Sequence, residues 1–190
     1  MVLSQEESKG HEFGIEYLSD ALHLEAVYFD QEVEDAIEFD ITAYSGYLQL
    51  PGTSTSKGVE VGGEWTVNAN WHLVANYTYN ETERPNGLPR RRRPEDLYNF
   101  GVSFYGMDAR LNLNAFYRMS KNSIDSANLP LVKLDDFEVL DLTANFSITD
   151  NVQLYGRIEN ALDEDYEEIA TYYTAGRAAY FGFRLNYAGL

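Results

Sequence analysis

The chain has 190 residues, of which 31 are acidic and 14 basic, for a formal charge of −17. That balance excludes a general nucleic-acid binder, which needs a basic surface to displace counterions from phosphate, and the lack of cysteine excludes disulfides and thiolate metal sites. No apolar run approaches the ~20 residues of a transmembrane helix, and "MVLSQEESKG" has neither the basic start nor the apolar core of a secretory signal. Aromatics nevertheless make up 14% of the chain, with 15 Tyr and 10 Phe.

Alternation with a period of two dominates, which predicts strands. The first two centre near residues 15 and 26, about a turn at Ser19-Asp20. A long link near 31–56 carries "FDQEVEDAIEFD", where Asp30, Glu32, Glu34, Asp35, Glu38 and Asp40 offer oxygens to a hard cation. Calcium takes about six to eight oxygens converging from a tight turn. This stretch has no Gly and spreads its carboxylates over both faces, so a solvated acidic loop is expected rather than a metal site. Strands near 61 and 75 follow, about Asn68-Ala69-Asn70, and in "WHLVANYTYN" Trp71, Leu73, Ala75, Tyr77 and Tyr79 share one face.

The second long link, near 82–95, holds "PRRRRPED". Pro89 and Pro94 keep this segment extended, and Arg90 to Arg93 are read as structural, with Glu95 and Asp96 as charge partners. Contact with lipopolysaccharide or an anionic ligand is the alternative. Strands near 101 and 113 surround Gly106-Met107-Asp108, and a third long link runs near 119–134. Strands near 143 and 155 surround Thr149-Asp150-Asn151, a fourth link occupies about 160–175, and a last strand centres near 182.

The reading is all-β, with about nine antiparallel strands in up-and-down order and short and long connections in strict alternation. A soluble sandwich has little reason to place every long loop at one end, whereas an outer-membrane barrel does so. In such a barrel the apolar face meets lipid and the polar face lines the lumen. Tyr17, Trp65, Trp71, Tyr79, Tyr98, Tyr117 and Tyr187 then fall near strand ends as an aromatic girdle. An odd strand number does not close as a bacterial single-chain barrel, which predicts that the chain is part of a larger one. His11, His23 and His72 lack metal-ligand spacing, and no nucleophile elbow, Walker loop or dinucleotide fingerprint is present, so no enzyme and no cofactor is expected.

With the strands and links in order, the chain resembles the C-terminal barrel region of a TonB-dependent outer-membrane receptor. The likeness rests on "EESKGHEFGIEY", "AVYFDQEVEDAIEFD", "SKGVEVGGEW", "ANYTYNETE", "LPRRRRPEDLYNFGVSF" and "LDLTANFSITDNVQLYGRIENALDEDYEE" in succession. Within the family, "YYTAGR" is most similar to the cobalamin (corrinoid) receptors, and siderophore receptors have similar endings. The resemblance implies that residues 1–190 are one part of a barrel of about 22 strands. It places the protein in the outer membrane of a Gram-negative bacterium, in contact with lipid and lipopolysaccharide. It further implies import of a scarce nutrient, a corrinoid or a siderophore, energised by the TonB protein through an N-terminal plug domain that this sequence does not contain.

Tyr44 and Tyr47 of the first link and Tyr172, Tyr173 and Arg177 of the last are then candidate ligand contacts, since Tyr gives large amphipathic area at low entropic cost. Asp141, Arg157, Glu159 and Arg184 are expected on the lumen face, either docking the plug or forming cross-strand ion pairs. A soluble or designed β-barrel binding module and a passive pore are the alternatives from other classes.

Overall fold

The computed structural model describes residues 3–40, 46–126 and 131–186. Its strands are β1 (Glu7–Leu18), β2 (Leu22–Glu34), β3 (Ile37–Phe39), β4 (Tyr47–Gln49), β5 (Thr53–Thr66), β6 (Trp71–Glu83), β7 (Asp96–Gly106), β8 (Leu111–Lys121), β9 (Ile124–Asp125), β10 (Val132–Lys133), β11 (Phe137–Thr149), β12 (Val152–Glu159), β13 (Glu167–Ile169), β14 (Tyr172–Tyr173) and β15 (Ala178–Leu185). Nine of them form one sheet in the order β1-β2-β5-β6-β7-β8-β11-β12-β15, and the other six pair as three small hairpins. Every neighbouring pair in the large sheet is antiparallel. The nine strands expected from the alternation are the nine of this sheet.

Register carries each apolar set onto one side. Phe13 pairs with Tyr28 and Ile15 with Ala26, Ala26 with Val61, Val61 with Tyr77, and Tyr77 with Tyr98. Phe100 pairs with Tyr117, Ala115 with Leu142, Leu142 with Ile158, and Leu154 with Phe183. This face is exposed: Phe13 retains 76% of its accessible surface and Phe181 93%. No second layer packs on it among the described residues. A soluble sandwich would bury this face against a second sheet, which is absent among the described residues.

Among the described residues the buried apolar side chains are Ala36, Leu134, Phe137, Val139 and Ala170, all in or beside the long links. Ser54, Thr82 and Ser120 are buried too, and each belongs to the polar face at the link end of its strand. The links therefore fold inward over the polar face, and the dry core lies beneath them. The first link is shorter than expected, because β2 continues to Glu34 and β5 starts at Thr53. The acidic stretch is consequently strand as far as Glu34 and hairpin beyond it, in place of the open loop expected.

One close approach fixes the β5–β6 pairing. A Cβ on Gly58 would overlap the Tyr79 carbonyl oxygen and stand 2.8 Å from the Phe29 ring, whereas one on Gly10 meets nothing nearer than 3.6 Å. Gly58→Ala is expected to cost about 1–3 kcal/mol by overpacking, with Gly10→Ala near neutral. Thermal unfolding of the detergent-folded protein, followed by heat-modified gel mobility, measures the difference.

Candidate functional site at the link end of the sheet

Four long links converge at one end, and a chain of ionic contacts ties them together. Glu38 of β3 accepts from Arg84 Nη2 at 2.6 Å and lies 3.9 Å from Arg91, both in the β6–β7 link. Arg91 Nη1 donates to Ser126 Oγ at 3.0 Å. Arg92 Nε donates to Asp125 Oδ1 at 3.0 Å, and the Ala170 amide of the last link donates to Asp125 Oδ2 at 2.9 Å. Arg92 reaches this position with a left-handed backbone (φ 57°) whose amide donates to the Ile124 carbonyl.

Asp125 is 1% exposed. Burial pushes its carboxyl up, but the amides of Ala170 and Ser126 and the Arg92 guanidinium more than offset this, leaving it below the ordinary carboxylate range. The arginine run is thus structural in part, as expected, but its acidic partners are Glu38 and Asp125. Asp96 instead accepts from the Tyr77 hydroxyl and Asn122. Glu95 is joined to its surroundings through backbone contacts with Asn80 and Lys121.

The last link is clamped at its base. Asn160, buried with φ 49°, donates through Nδ2 to the Glu164 carbonyl and accepts from the Glu164 amide. Asp163 accepts from the Arg177 amide at 2.9 Å and from Arg177 Nη2 at 3.0 Å. The first of these bonds and the Arg177 charge hold the Asp163 carboxyl below its ordinary value. Arg177 Nη1 also reaches the Ala161 carbonyl, so its guanidinium is occupied in the clamp. Tyr172 and Tyr173 extend from β14 and are 69% and 86% exposed, and Tyr47 of β4 is 66% exposed beside Phe39. Tyr44 lies outside the described residues.

On the polar face the four expected residues fall as the alternation requires. Asp141 accepts from the Asn160 amide at 2.8 Å, Arg157 pairs with Glu159 at 3.2 Å and stacks over Tyr180 at 4.4 Å, and Arg184 donates to Gln153. The single ion pair among them runs along β12, so the expectation of cross-strand ion pairs is corrected: the cross-strand partners are aromatic, amide and backbone groups. His23 meets Glu16 at 2.8 Å and His72 meets Glu64 at 2.9 Å on the same face.

One cluster was not foreseen. Arg118 lies 5.3 Å over Phe137 and 5.9 Å over Tyr166, which stack at 4.3 Å, and it pairs with Glu168 at 2.7 Å. Its only sequence signal is the position of Arg118 on the polar side of β8, since Phe137 comes from the neighbouring strand β11 and Tyr166 and Glu168 from the last link.

A family model described as TonB dependent receptor-like, beta-barrel, matches residues 2–161. Among curated proteins, the vitamin B12 transporter BtuB of Photobacterium profundum is 27% identical over 185 residues, covering 94% of this chain and 30% of that protein. The vitamin B12 transporter BtuB of Vibrio cholerae (El Tor Inaba) is 26% identical over 156 residues, covering 80% and 25% respectively. Among solved structures, the pyoverdine outer membrane receptor FpvA of Pseudomonas aeruginosa superposes with a TM-score of 0.80 at 22% identity, over 97% of this chain and 30% of that one. The chain thus spans about 30% or less of the length of these curated relatives.

Asp125→Ala is expected to uncouple the second, third and last links, at a cost of about 2–3 kcal/mol in lost charge-assisted hydrogen bonds. Because the folded-state pKa of Asp125 is depressed, its contribution is complete above the ordinary Asp value of about 3.9. It is lost as pH falls below that value through the lower folded one. Hydrogen exchange at the Ala170 amide should therefore stay slow from neutral pH down to about 4, after correction for intrinsic rates, and be fast in D125A throughout.

Proposed function

The chain belongs to the TonB-dependent receptor β-barrel family, and on that premise we propose that it builds part of the wall and mouth of an outer-membrane importer of a scarce nutrient in a Gram-negative bacterium. One observation carries the reading: a continuous apolar face bounded by two rows of aromatics. Tyr17, Trp65, Trp71 and Phe104 lie towards the short turns, and Tyr79, Tyr98 and Tyr117 towards the long links, with Tyr28 midway along β2. All the described girdle residues share this face, and Tyr187 lies outside the described residues. On β6, Trp71 and Tyr79 stand eight residues apart, about 27 Å along the strand. At a tilt of about 40° this spans about 20 Å of bilayer, close to the ~25 Å apolar band of such barrels.

The long links then face outward and take up the ligand, with Tyr47, Tyr172 and Tyr173 as exposed contacts and Arg177 acting through the clamp. Asp141, Arg157, Glu159 and Arg184 face the lumen, where a plug domain supplied by the rest of the receptor docks and engages the TonB protein. A corrinoid is the first candidate ligand, because two curated relatives are vitamin B12 transporters. A siderophore is the second, given the likeness to the pyoverdine receptor.

Two measurements test this. Leu142→Arg should cost about 2–4 kcal/mol in bilayer-folded protein, as a charge on the lipid face, while Thr143→Arg on the opposite face costs under about 1 kcal/mol; equal costs would sink the membrane assignment. In a host deprived of its own receptors, the complete gene product should support growth on limiting cobalamin or on a ferric siderophore, only when TonB is intact. In that assay Tyr172→Ala/Tyr173→Ala should weaken uptake affinity about tenfold.

A further inference from the structure

The arginine run is only half engaged in tying the links together. Arg91 and Arg92 serve Glu38, Ser126 and Asp125. Arg90 and Arg93 have no acidic partner among the described residues, in a chain where acids outnumber bases 31 to 14. With acids so plentiful, two guanidinium groups on one hollow with no acidic partner among the described residues are not a default outcome. All four arginines, with Glu38 and Asp125, wall a hollow of about 430 Å³ at the link end, within the ~300–1,000 Å³ range of small-molecule sites. Four cations against two carboxylates leave the hollow with two uncompensated positive charges.

Its backbone is fixed beforehand. The Arg90 amide donates to Thr82 Oγ1 at 3.0 Å, the Arg92 amide donates to the Ile124 carbonyl at 2.8 Å, and Pro89 and Pro94 restrict the flanks. A second hollow of about 220 Å³ shares Glu38 and Arg91, is lined by Leu48, Leu50 and Leu88, and also meets the Asp40 carboxylate. It adjoins Arg84 as well, whose Nε is buried without a partner among the described residues.

We propose that this paired hollow binds an organic solute carrying more than one carboxylate or phosphate, with Arg90 and Arg93 supplying fork-shaped donors and the leucine-lined compartment taking an apolar part of the same molecule. Guanidinium groups suit this task because they grip planar or tetrahedral oxyanions with two parallel hydrogen bonds. The assignment rests on the receptor reading in that it takes the links to face the outside, and it favours the siderophore over the corrinoid, since it narrows the imported substance to one with more than one anionic group. Phosphorylated lipid headgroups share the chemistry, so the experiment has to separate the two sources.

The complete gene product, in phosphatidylcholine nanodiscs free of lipopolysaccharide, is titrated calorimetrically with citrate and with tripolyphosphate. Saturable binding of at least one is expected, weakening with added salt. It should fall at least tenfold in Arg90→Ala/Arg93→Ala and recover in part in Arg90→Lys/Arg93→Lys, which keeps the charge but not the fork. Unchanged thermal unfolding shows that the variants are folded, and Arg90→Gln/Arg93→Gln replaces the alanine pair if it is not. Failure of both probes to bind, or equal binding to the double variant, overturns the proposal. So does arginine-dependent retention of lipid A by nanodiscs that bind neither probe, since the hollow would then serve a lipid. Nutrient uptake is scored separately: normal uptake in the double variant would overturn the anion site and leave the receptor reading standing.

Discussion

Everything in this molecule depends on strand register. A strand has a side-chain period of two, so a slip of one residue at any ladder would send Tyr77 inward and Asn76 outward. Eight successive ladders hold the same parity, from Phe13 on β1 to Phe183 on β15. In a bilayer this also settles the backbone, because an unpaired amide or carbonyl costs several kcal/mol in hydrocarbon. The one irregularity, between Ser147 and Thr149 against β12, sits beside the short turn, where the ladder is ending. Its distortion is kept outside the apolar band.

The same register decides what the polar face can do. Glu16, His23, Glu64 and His72 cluster towards the turn end, and Arg118, Arg157 and Arg184 lie on the later strands. Each of these finds a local partner. At the link end the polar face ceases to be open. Ser54, Thr82, Ser120, Phe137 and Val139 are covered there by the links, which means that the mouth is built on the strands and inherits their register.

The sheet was largely legible in the sequence, and the mouth was not. Alternation in "WHLVANYTYN" and "LDLTANFSI" marks faces directly, because nearest and next-nearest residues carry the whole signal. The hairpins β3–β4, β9–β10 and β13–β14 are two or three residues per strand, too short for any period to register. Partners across links are harder still. Glu95 and Asp96 adjoin the arginines in sequence, yet Arg84 and Arg91 meet Glu38, and Arg92 meets Asp125, because the fold brings separate links together above the sheet. Likewise the positions of Arg157 and Arg184 followed from parity, while Tyr180 and Gln153 as their partners followed only from pairing.

Stability is divided along the same line. The sheet is held by continuous ladders, in which opening one hydrogen bond disturbs its neighbours. Among the described residues the mouth has five buried apolar side chains, two of them alanines, and relies on a few ionic contacts, notably Asp125 with Arg92 and Glu38 with Arg84. Regions with few buried apolar contacts open at lower free energy than core strands. A solute held by Arg90 and Arg93, as proposed, would sit beside these contacts, and the ladders beneath would not have to move. On the proposed function recognition is thereby confined to the link end, and the apolar face keeps its register independently of the links.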